Sequence, residues 1–391
     1  MEKTIYLDSI SATPLHPEVR KVMSEYLGKG FGNPISQHRV GDEASGALEA
    51  ARAEVAALIN ASPQEIVFTS GGTESINHAI KGVAFAMAEK GKHIVTSNIE
   101  HQAVLRSLRS LKKLGYHLTS VPVDEYGLVD PKAIEKAMTG ETILVSIQHA
   151  NNEIGTIEPI AEIGKITRKR GTLFHTDAVA STGVVPVDVE AMGVDLLSLA
   201  ANQFGGPSGV GALYIRSKIK IVPLLDGGIQ ENNLRAGTQN MLGIVGMGKA
   251  AELAREEMAT RTKDLLQLKK AFTERLMSID EVVLNGHPTR CLPNLISCSV
   301  KYVEGESMVL MLDEEGICVS TRSACATGSL RASHVLISIG LDYMTTQGTL
   351  IFSFSMNNTL EEIDLAFAAL KRSVEFLRKI SPLYQKGKGG R

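Results

Sequence analysis

The sequence predicts an α/β fold in which helices cover a mostly parallel sheet, followed by a smaller α+β region. Short apolar runs alternate with helical stretches over most of the chain, and shorter strands follow one long, charged helix. The length of 391 residues suits about two or three domains. We expect a large domain over residues 14–250, a small domain formed by residues 1–13 and 251–382, and a flexible Gly/Lys-rich tail over residues 383–391.

Apolar side chains dominate seven strand-like runs in the large domain. They read EIVFTS, HIVTS, HLTSVPV, TILVSI, TLFHTD, DLLSLAA and GALYIR. Stretches between them, such as SINHAIKGVAFAMAEK and AVLRSLRSLKKLG, repeat apolar residues every three to four positions, which predicts amphipathic helices. A long helix is predicted from Gly248 to Ile279. The strands VVLN, NLISCSV and GTLIFSFS then precede a closing helix, LEEIDLAFAALKRSVEFLRK.

Composition restricts the classes of partner. Charged residues make up 21% of the chain and the net charge is -2, which gives no electrostatic reason to expect nucleic acid or an anionic membrane. No apolar run approaches the roughly 20 residues that span a bilayer, and MEKTIYLDSI lacks the basic and then apolar pattern of a secretory signal. We expect a cytoplasmic protein whose partners are small molecules or other proteins.

The four cysteines lie toward the C-terminal end, and none belongs to a CxxC pair. Without a matching histidine pattern they do not indicate a zinc site. Cys291, Cys298 and Cys318 are predicted to be small buried hydrophobic residues, with Cys298 and Cys318 on strands. Cys325 differs, because its surroundings, STRSACATGS, are small and polar and predict a loop.

Polar residues follow several predicted strands, and the carboxyl ends of parallel strands meet at a common crevice. TSGGTESINHAIKG joins a strand to a helix, so backbone N–H groups near Gly71, Gly72 and Thr73 can hold a phosphate. A turn that uses glycine only for its shape is an equal alternative. His101 and Asp177 also follow strand ends. The structural alternatives for them are a core imidazole and a helix N-cap.

Two further stretches offer polar groups to a ligand. HANNEIGTIEPI places the adjacent amides of Asn151 and Asn152 after a strand, where they either contact a ligand or stabilise a turn. NNLRAGTQN supplies Arg235 next to Gly237 and Thr238. This arginine either contacts an anion or is an ordinary solvated side chain.

A series of stretches occurs in an order and spacing shared with one enzyme family: YLDSISATPL, FGNPISQH, TSGGTES, EHQAVL, HANNEIGTIEPI, HTDA, GPSGVGALYIR, LRAGTQN, YVEGES and STRSACATGSLRASHVL. Over essentially its whole length the chain resembles the NifS/IscS-like cysteine desulfurases. The resemblance implies fold type I of the pyridoxal-phosphate (PLP) enzymes and a homodimer with sites near the subunit interface. It also implies transfer of sulfur from free cysteine to a loop cysteine, as a persulfide, and then to an IscU/NifU-like iron–sulfur scaffold or a thiolation partner.

By matching position, the resemblance assigns roles to five residues around the cofactor. His101 would stack on its ring, Asp177 would pair with the pyridine nitrogen, and Thr73 would hold the phosphate. Thr238 would join that phosphate site from the other subunit, and Asn152 would contact substrate or cofactor. A carboxylate beside the ring nitrogen keeps it protonated, which makes the ring an electron sink.

Cys325 would be the sulfur acceptor, and its surroundings in the sequence are basic, with Arg322, Arg331 and His334 nearby. A cation lowers the pKa of a thiol and raises the thiolate fraction, which suits a sulfur carrier or an iron ligand. A spare loop thiol is the structural alternative for Cys325.

The chain departs from the family at the site itself. Asn202 and Gln203 stand where the family has a phosphate-binding histidine and the Schiff-base lysine. A carboxamide nitrogen is not a nucleophilic amine, so Gln203 cannot form a Schiff base. Ala200 replaces a phosphate-binding serine, Ala180 a glutamine that meets the phenolic oxygen, and Ile351 the arginine that clamps the substrate carboxylate.

We therefore expect a cysteine desulfurase-like protein of iron–sulfur cluster assembly, with Cys325 as persulfide carrier or ligand of a transient cluster. Desulfuration through a PLP-bound lysine would be weak or lost, and whether the chain is an enzyme stays open. PLP, if bound, would be held without a covalent bond, with Gln203 at the position of the lysine. One alternative is an active desulfurase that uses non-covalent PLP, and another is a non-catalytic module that docks a scaffold protein.

Overall fold

The computed structural model describes residues 4–321, 332–382 and 384 of the chain. The strands in these ranges are β1 Ile5–Tyr6, β2 Ile66–Thr69, β3 His93–Ser97, β4 His117–Val121, β5 Thr142–Ser146, β6 Leu173–Asp177, β7 Leu196–Ala200, β8 Gly211–Ile215, β9 Val282–Asn285, β10 Leu295–Val300, β11 Ile317–Cys318, β12 Ser320–Thr321 and β13 Thr349–Ser353. The helices are α1 Pro17–Leu27, α2 Arg39–Leu58, α3 Gly72–Ala86, α4 Gln102–Lys112, α5 Pro131–Ala137, α6 Ile160–Arg170, α7 Val189–Met192, α8 Gln230–Asn233, α9 Met241–Leu276, α10 Gly305–Glu314, α11 His334–Ser338, α12 Tyr343–Gln347 and α13 Leu360–Ile380.

A seven-stranded sheet forms the centre of the molecule, in the strand order β2-β8-β7-β6-β5-β3-β4. Strands β4, β3, β5, β6 and β7 run parallel to one another, whereas β8 pairs antiparallel with β2 and β7. The prediction of a mostly parallel sheet is confirmed, and each of the seven predicted runs supplies one strand. Since β2 and the five parallel strands point the same way, their carboxyl ends lie along one edge.

Helices cover both faces of this sheet. Successive side chains of a strand point to opposite faces, so the apolar strands present an apolar surface on each side. Leu144 and Val145 are neighbours on β5, and they belong to separate hydrophobic cores. Ile80 of α3 and Val104 of α4 pack in the core of Leu144, whereas α2 and the first half of α9 pack in the core of Val145. Burial on both faces explains the almost continuous apolar runs of β2, β5, β7 and β8.

A four-stranded antiparallel sheet, in the order β12-β13-β10-β9, lies in the C-terminal part. Its core contains the ring of Phe272 from α9 packed edge-on against Phe352 and Phe354, at centroid distances of 4.7 and 6.0 Å. β1 pairs in parallel with β11 and brings Leu7 into the same core. Residue 250 lies inside α9, whose side chains enter both this core and that of the large sheet. The division of the chain into two domains therefore stays a prediction.

The long helix α9 begins at Met241, earlier than the predicted start at Gly248. Several glycines in its first turns have low helix propensity, so local propensity does not predict a helix there. The side chain of Asn240 caps the helix by accepting a hydrogen bond from the Gly243 amide at 3.2 Å. Gly248 lies so close to α2 that a β-carbon there would be 2.6 Å from the Cα of Ala51. Close packing of α9 on α2 thus requires the residue that local propensity disfavours.

Two of the three cysteines predicted to be buried are partly exposed. Cys298 is buried on β10, and burial raises the pKa of its thiol to about 12. The prediction is wrong for Cys291 and Cys318. Cys291 lies in the loop before β10, where the Lys269 ammonium donates to its sulfur at 3.0 Å. Cys318 lies on β11 as predicted. The alternation of apolar and polar residues predicts a strand but does not show that the short ladder of β1 and β11 lies near the surface.

Some predictions concern residues outside the described ranges. Cys325 is among them, together with Arg322 and Arg331, and so is the predicted tail apart from Tyr384. Within the described ranges, no helix is both long and apolar enough to cross a membrane.

Candidate functional site

A cavity of about 410 Å³ opens at the carboxyl edge of the seven-stranded sheet. Its walls are the segments that follow β2, β3, β5, β6 and β7, and residues of the N-terminal segment close one side. The lining residues are Ile10, Ser11, Gly72, Thr73, Ile76, His101, Gln148, Ala150, Asn152, Asp177, Val179, Ala180, Ala200, Asn202 and Gln203. The parallel strands thereby bring together five residues predicted for the site: Thr73, His101, Asn152, Asp177 and Gln203.

The N-terminus of α3 forms one end of the cavity. The helix begins at Gly72, directly after the turn that leaves β2. A β-carbon on Gly72 would lie 2.6 Å from Cγ2 of Val179, so glycine lets the helix end approach the turn after β6. Thr73 follows in the first turn and lines the cavity. Free backbone N–H groups and the positive end of the helix dipole make this end suitable for a phosphate.

Arg235 does not contact the cavity, which corrects both expectations for it. Its guanidinium forms an ion pair with Glu74 of α3, with Nε 3.0 Å from Oε1, and its side chain is only 22% exposed. Burial alone would raise the pKa of Glu74, but hydrogen bonds from Arg235 and Ser70 hold it below its ordinary value. The arginine therefore joins the 235 segment to α3.

Asp177 ends β6 and is buried beside the cavity. Its Oδ1 accepts a hydrogen bond from the Val179 amide at 3.0 Å, in a turn that no helix follows, so a helix N-cap is excluded. Among the described residues, no cationic side chain forms an ion pair with it. Burial raises the pKa of Asp177, and the charge of His101 opposes this increase only in part. An unpaired buried carboxylate at a cavity wall suits a ligand with a protonated nitrogen.

His101 is exposed at the cavity rim, so the alternative of a core imidazole is wrong. Its Nδ1 accepts a hydrogen bond from the Ala103 amide at 3.1 Å and caps α4. The preceding residue, Glu100, is fully buried and was not singled out by the sequence. It accepts hydrogen bonds from the Ser97 hydroxyl at 2.6 Å and the Gln148 amide at 3.0 Å. Burial nevertheless raises the pKa of Glu100 well above its ordinary value.

The two adjacent amides after β5 have different positions. Asn151 is buried and stabilises a turn: its Oδ1 accepts from the amides of Glu153 and Ile154, and its Nδ2 donates to the Ile99 carbonyl. Asn152 lines the cavity. Asn151 thus stabilises a turn, whereas Asn152 is placed where it can contact a ligand.

Gln203 lies in the 3₁₀ turn Ala201–Gln203 that follows β7, and it is only 9% exposed. Its Nε2 donates a hydrogen bond to the Ile10 carbonyl at 3.1 Å. The neighbouring carbonyl of Asn202 accepts from the Thr13 amide at 2.8 Å. The N-terminal segment is therefore fastened over this end of the cavity. Ile10 and Ser11 line the cavity but were not predicted to do so, although they belong to the stretch YLDSISATPL that resembles the family.

Two of the departures from the family lie in a single apolar cluster. Its buried members are Ile10, Ala150, Ala180, Val184, Leu292, Leu295 and Ile351. Ile351 on β13 has no exposed surface and is not a lining residue, so it neither contacts a ligand in the cavity nor offers a charge to one. Ala180 belongs to both the cluster and the cavity wall. This wall is consequently apolar.

The lining residues include groups that suit a phosphorylated pyridine. Asp177 would supply a carboxylate for a protonated ring nitrogen, and Gly72 and Thr73 would supply the helix end for a phosphate. Among the described residues that line the cavity there is no lysine. None of them can therefore form a Schiff base with an aldehyde.

Other predicted residues lie at the rim or away from the cavity. Thr238 is exposed and is not a lining residue, so its role in a partner's phosphate site stays a prediction. His334 begins α11, and its Nε2 donates to the Glu100 carbonyl at 3.0 Å. The Ser333 hydroxyl donates to Glu153. The chain that follows the predicted Cys325 loop is thus attached to the rim beside His101.

Comparison with known proteins agrees with this architecture. Residues 5–366 match the class-V aminotransferase family. The chain is 51% identical over 389 residues to a protein named cysteine desulfurase IscS from Dictyoglomus turgidum, covering 99% of each chain. It is 47% identical over 384 residues to one of the same name from Methanosarcina thermophila, covering 98% of this chain and 95% of the other. A solved structure of a NifS-like protein superposes with a TM-score of 0.90 at 38% identity, covering 97% of this chain and 100% of the other. The chain therefore belongs to the class-V aminotransferase family with the fold of type I PLP enzymes, and within it to the NifS/IscS-like cysteine desulfurases.

Proposed function

We propose that this cysteine desulfurase-like protein serves iron–sulfur cluster assembly through Cys325, which carries sulfur as a persulfide or ligates a nascent cluster. In this proposal, desulfuration of cysteine through a PLP-bound lysine is weak or lost. The observation that carries the proposal is the buried amide of Gln203, which lines the cavity where the family has its lysine and donates to the Ile10 carbonyl at 3.1 Å.

The family is PLP-dependent, and the lining residues support non-covalent binding of such a cofactor. When bound, its ring withdraws electrons from an attached substrate. Asp177 would keep the ring nitrogen protonated, Thr73 and the α3 N-terminus would hold the phosphate, and His101 and Asn152 would contact the ring and substrate. Gln203 cannot take up or release a proton as an amine would. The lining residues can thus hold the cofactor, but they lack the base that the family uses.

Weak recognition of free cysteine is the second support. Ile351 is fully buried in an apolar cluster where the family has an arginine. Among the described lining residues there is neither arginine nor lysine to pair with a substrate carboxylate. A carboxylate placed against the apolar wall would lose hydration without gaining a partner.

The partners in this proposal are a second copy of the chain and an IscU/NifU-like scaffold that receives sulfur or shares a cluster. Relatives named IscS support a role in cluster assembly. Thr238 would complete the phosphate site of the partner subunit, and the cytoplasmic location expected from the sequence belongs to the same proposal.

Sulfide release from L-cysteine tests this function, measured on anaerobically purified protein with PLP and a thiol reductant. We expect little or no release by the wild type and only a small gain for Gln203→Lys, because Ile351 still cannot bind the carboxylate. Two activities should be lost in Cys325→Ser. One is cluster formation on a scaffold from iron salts and sulfide, and the other is sulfur transfer from a persulfide formed on Cys325 with polysulfide, whose sulfur is already at the oxidation level of a persulfide. Rapid release by the wild type that Cys325→Ser abolishes would instead establish a lysine-free desulfurase. This second function has the retained Asp177 and Thr73 in its favour. Cluster assembly that Cys325→Ser leaves intact would leave only a docking role.

A further inference from the structure

The orientation of the Gln203 amide indicates which ligand the cavity selects, and this inference deepens the function proposed above because it names the ligand of the same cavity. Nε2 donates to the Ile10 carbonyl, which can only accept a hydrogen bond. The amide is therefore oriented, and its Oε1 is the atom left for a ligand. Within the part of the chain that the structure describes, this oxygen accepts no hydrogen bond, and Gln203 is a lining residue of the cavity.

The rest of the wall also offers acceptors. Gln148, another lining residue, donates its Nε2 to the Ile99 carbonyl at 3.2 Å, so its Oε1 is also an acceptor without a donor among the described residues. Asp177 adds a buried carboxylate without an ion pair. Neither lysine nor arginine occurs among the described lining residues, and the charge of His101 opposes the rise in the pKa of Asp177 only in part. A ligand that brings its own cationic donor would satisfy these acceptors.

We infer that the cavity binds the amine form of a phosphorylated pyridine, pyridoxamine 5′-phosphate, in preference to the aldehyde PLP, and that Oε1 of Gln203 accepts a hydrogen bond from the ligand's ammonium group. The substituent that reacts with the family's lysine would face position 203, so Gln203 would distinguish the forms of the ligand by that substituent. An alkylammonium group is protonated at neutral pH, as the lysine side chain is.

The chemistry of the two substituents explains the preference. An ammonium group donates to a carbonyl oxygen, and a hydrogen bond with a charged donor is stronger than a neutral one. An aldehyde oxygen is itself an acceptor, so next to Oε1 it would leave two acceptors without a donor. No described lining residue can remove that aldehyde by forming a Schiff base. We expect the amine to bind at least tenfold more tightly than the aldehyde.

Isothermal titration of the full chain tests this inference with three ligands that share a ring and a phosphate: pyridoxamine 5′-phosphate, PLP and pyridoxine 5′-phosphate. The wild type should bind the amine most tightly and the aldehyde most weakly. Gln203→Met, which removes the acceptor, should reduce the ratio of amine to aldehyde affinity to near one. Gln203→Lys keeps a donor for the Ile10 carbonyl and should invert the ratio. It should repel the amine and condense with PLP, with loss of water, into an adduct that borohydride reduction and mass spectrometry detect.

Gln64→Met is the matched control, because it makes the same change on the exposed turn before β2 and should leave all three affinities unchanged. Circular dichroism establishes that each variant is folded. Tighter binding of PLP than of the amine by the wild type would overturn the inference. An unchanged affinity ratio in folded Gln203→Met would also overturn it, and so would the failure of all three ligands to bind. Failure here is separable from failure of the proposed function, since sulfur transfer by Cys325 needs no such preference and Cys325→Ser should leave the ratio unaltered.

Discussion

Asp177 shows how stability and ligand binding oppose each other at a single residue. Its carboxylate is buried, and a hydrogen bond from the Val179 amide at 3.0 Å is not enough to balance the lost hydration of a charge. Burial accordingly raises its pKa. A ligand with a protonated ring nitrogen would supply the missing partner, so the folded chain holds this unfavourable group ready for binding.

Asp177→Asn should raise the free energy of unfolding by about 1–2 kcal/mol, because it removes the buried charge and keeps an oxygen for the Val179 amide. The same change should weaken binding of pyridoxamine 5′-phosphate at least tenfold. Denaturant unfolding and calorimetric titration measure the two effects. The exposed carboxylate of Asp226 provides the control, and Asp226→Asn should alter neither quantity. A loss of stability in Asp177→Asn would contradict the assignment of an unpaired charge.

A buried ion pair between two elements holds the segment that carries Arg235 and Thr238. Glu231, in the short turn α8, has a left-handed backbone with φ of 47°, and so has the next residue, Asn232, with φ of 55°. Such angles are unfavourable for residues with side chains. The carboxylate of Glu231 is buried and binds the Arg52 guanidinium of α2, with contacts of 2.7 and 3.0 Å. The ion pair therefore offsets the backbone strain of α8.

Arg52→Met should lower the free energy of unfolding by about 3–5 kcal/mol, because it leaves the charge of Glu231 buried without its cation. Arg52→Met combined with Glu231→Gln should recover part of this loss, as a double-mutant cycle in urea would show. Arg39 offers a comparison on the same helix: its pair with Glu43 is exposed, so Arg39→Met should cost less than about 0.5 kcal/mol. Equal effects of the two arginine substitutions would disprove the role assigned to the buried pair.

At the scale of the whole molecule, buried ionisable groups make stability depend on pH. Burial lowers the pKa of His149 to about 4 and that of His175 to about 3, so both are neutral in the folded protein near pH 7. Burial raises the pKa of Glu158 to about 8, and one of its oxygens has no hydrogen-bond partner among the described residues. The two histidines lower stability only as the pH falls below 6.5, the ordinary pKa of histidine, because the unfolded chain then binds protons that the folded chain does not.

Glu158 acts in the opposite direction and over a different range. The pKa of Glu158 in the folded protein lies above its ordinary value of 4.5. Its contribution to the free energy of unfolding is therefore complete below pH 4.5 and is lost as the pH rises through about 8. Between pH 6.5 and 8.5 we expect the free energy of unfolding to fall by about 2 kcal/mol more in the wild type than in Glu158→Gln. Urea titrations across this range test the difference. Glu125→Gln, at an exposed position nearby, should behave as the wild type. Parallel curves for the wild type and Glu158→Gln would refute the assignment.

Much of the architecture could be predicted because its signals are local. The apolar runs of the strands and the periodicity of α3 and α4 are visible in the sequence, and strand ends brought His101 and Asp177 to one crevice as expected. The start of α9 could not be predicted, since the close contact of Gly248 with α2 is not a local property. The partial exposure of Cys291 and Cys318 could not be predicted either. It depends on where the loop before β10 and the ladder of β1 and β11 lie in the folded molecule.

The sequence by itself determined the order of strands and helices, the family, and the replacement of its lysine by Gln203. These follow from periodicity and from residue identity at matched positions. Only the tertiary structure decided that Ile351 is buried in an apolar cluster, that Arg235 pairs with Glu74, and that the Gln203 amide donates to the Ile10 carbonyl. Each of these depends on a partner far away in the chain, because hydrogen bonds and burial are fixed by neighbours in space.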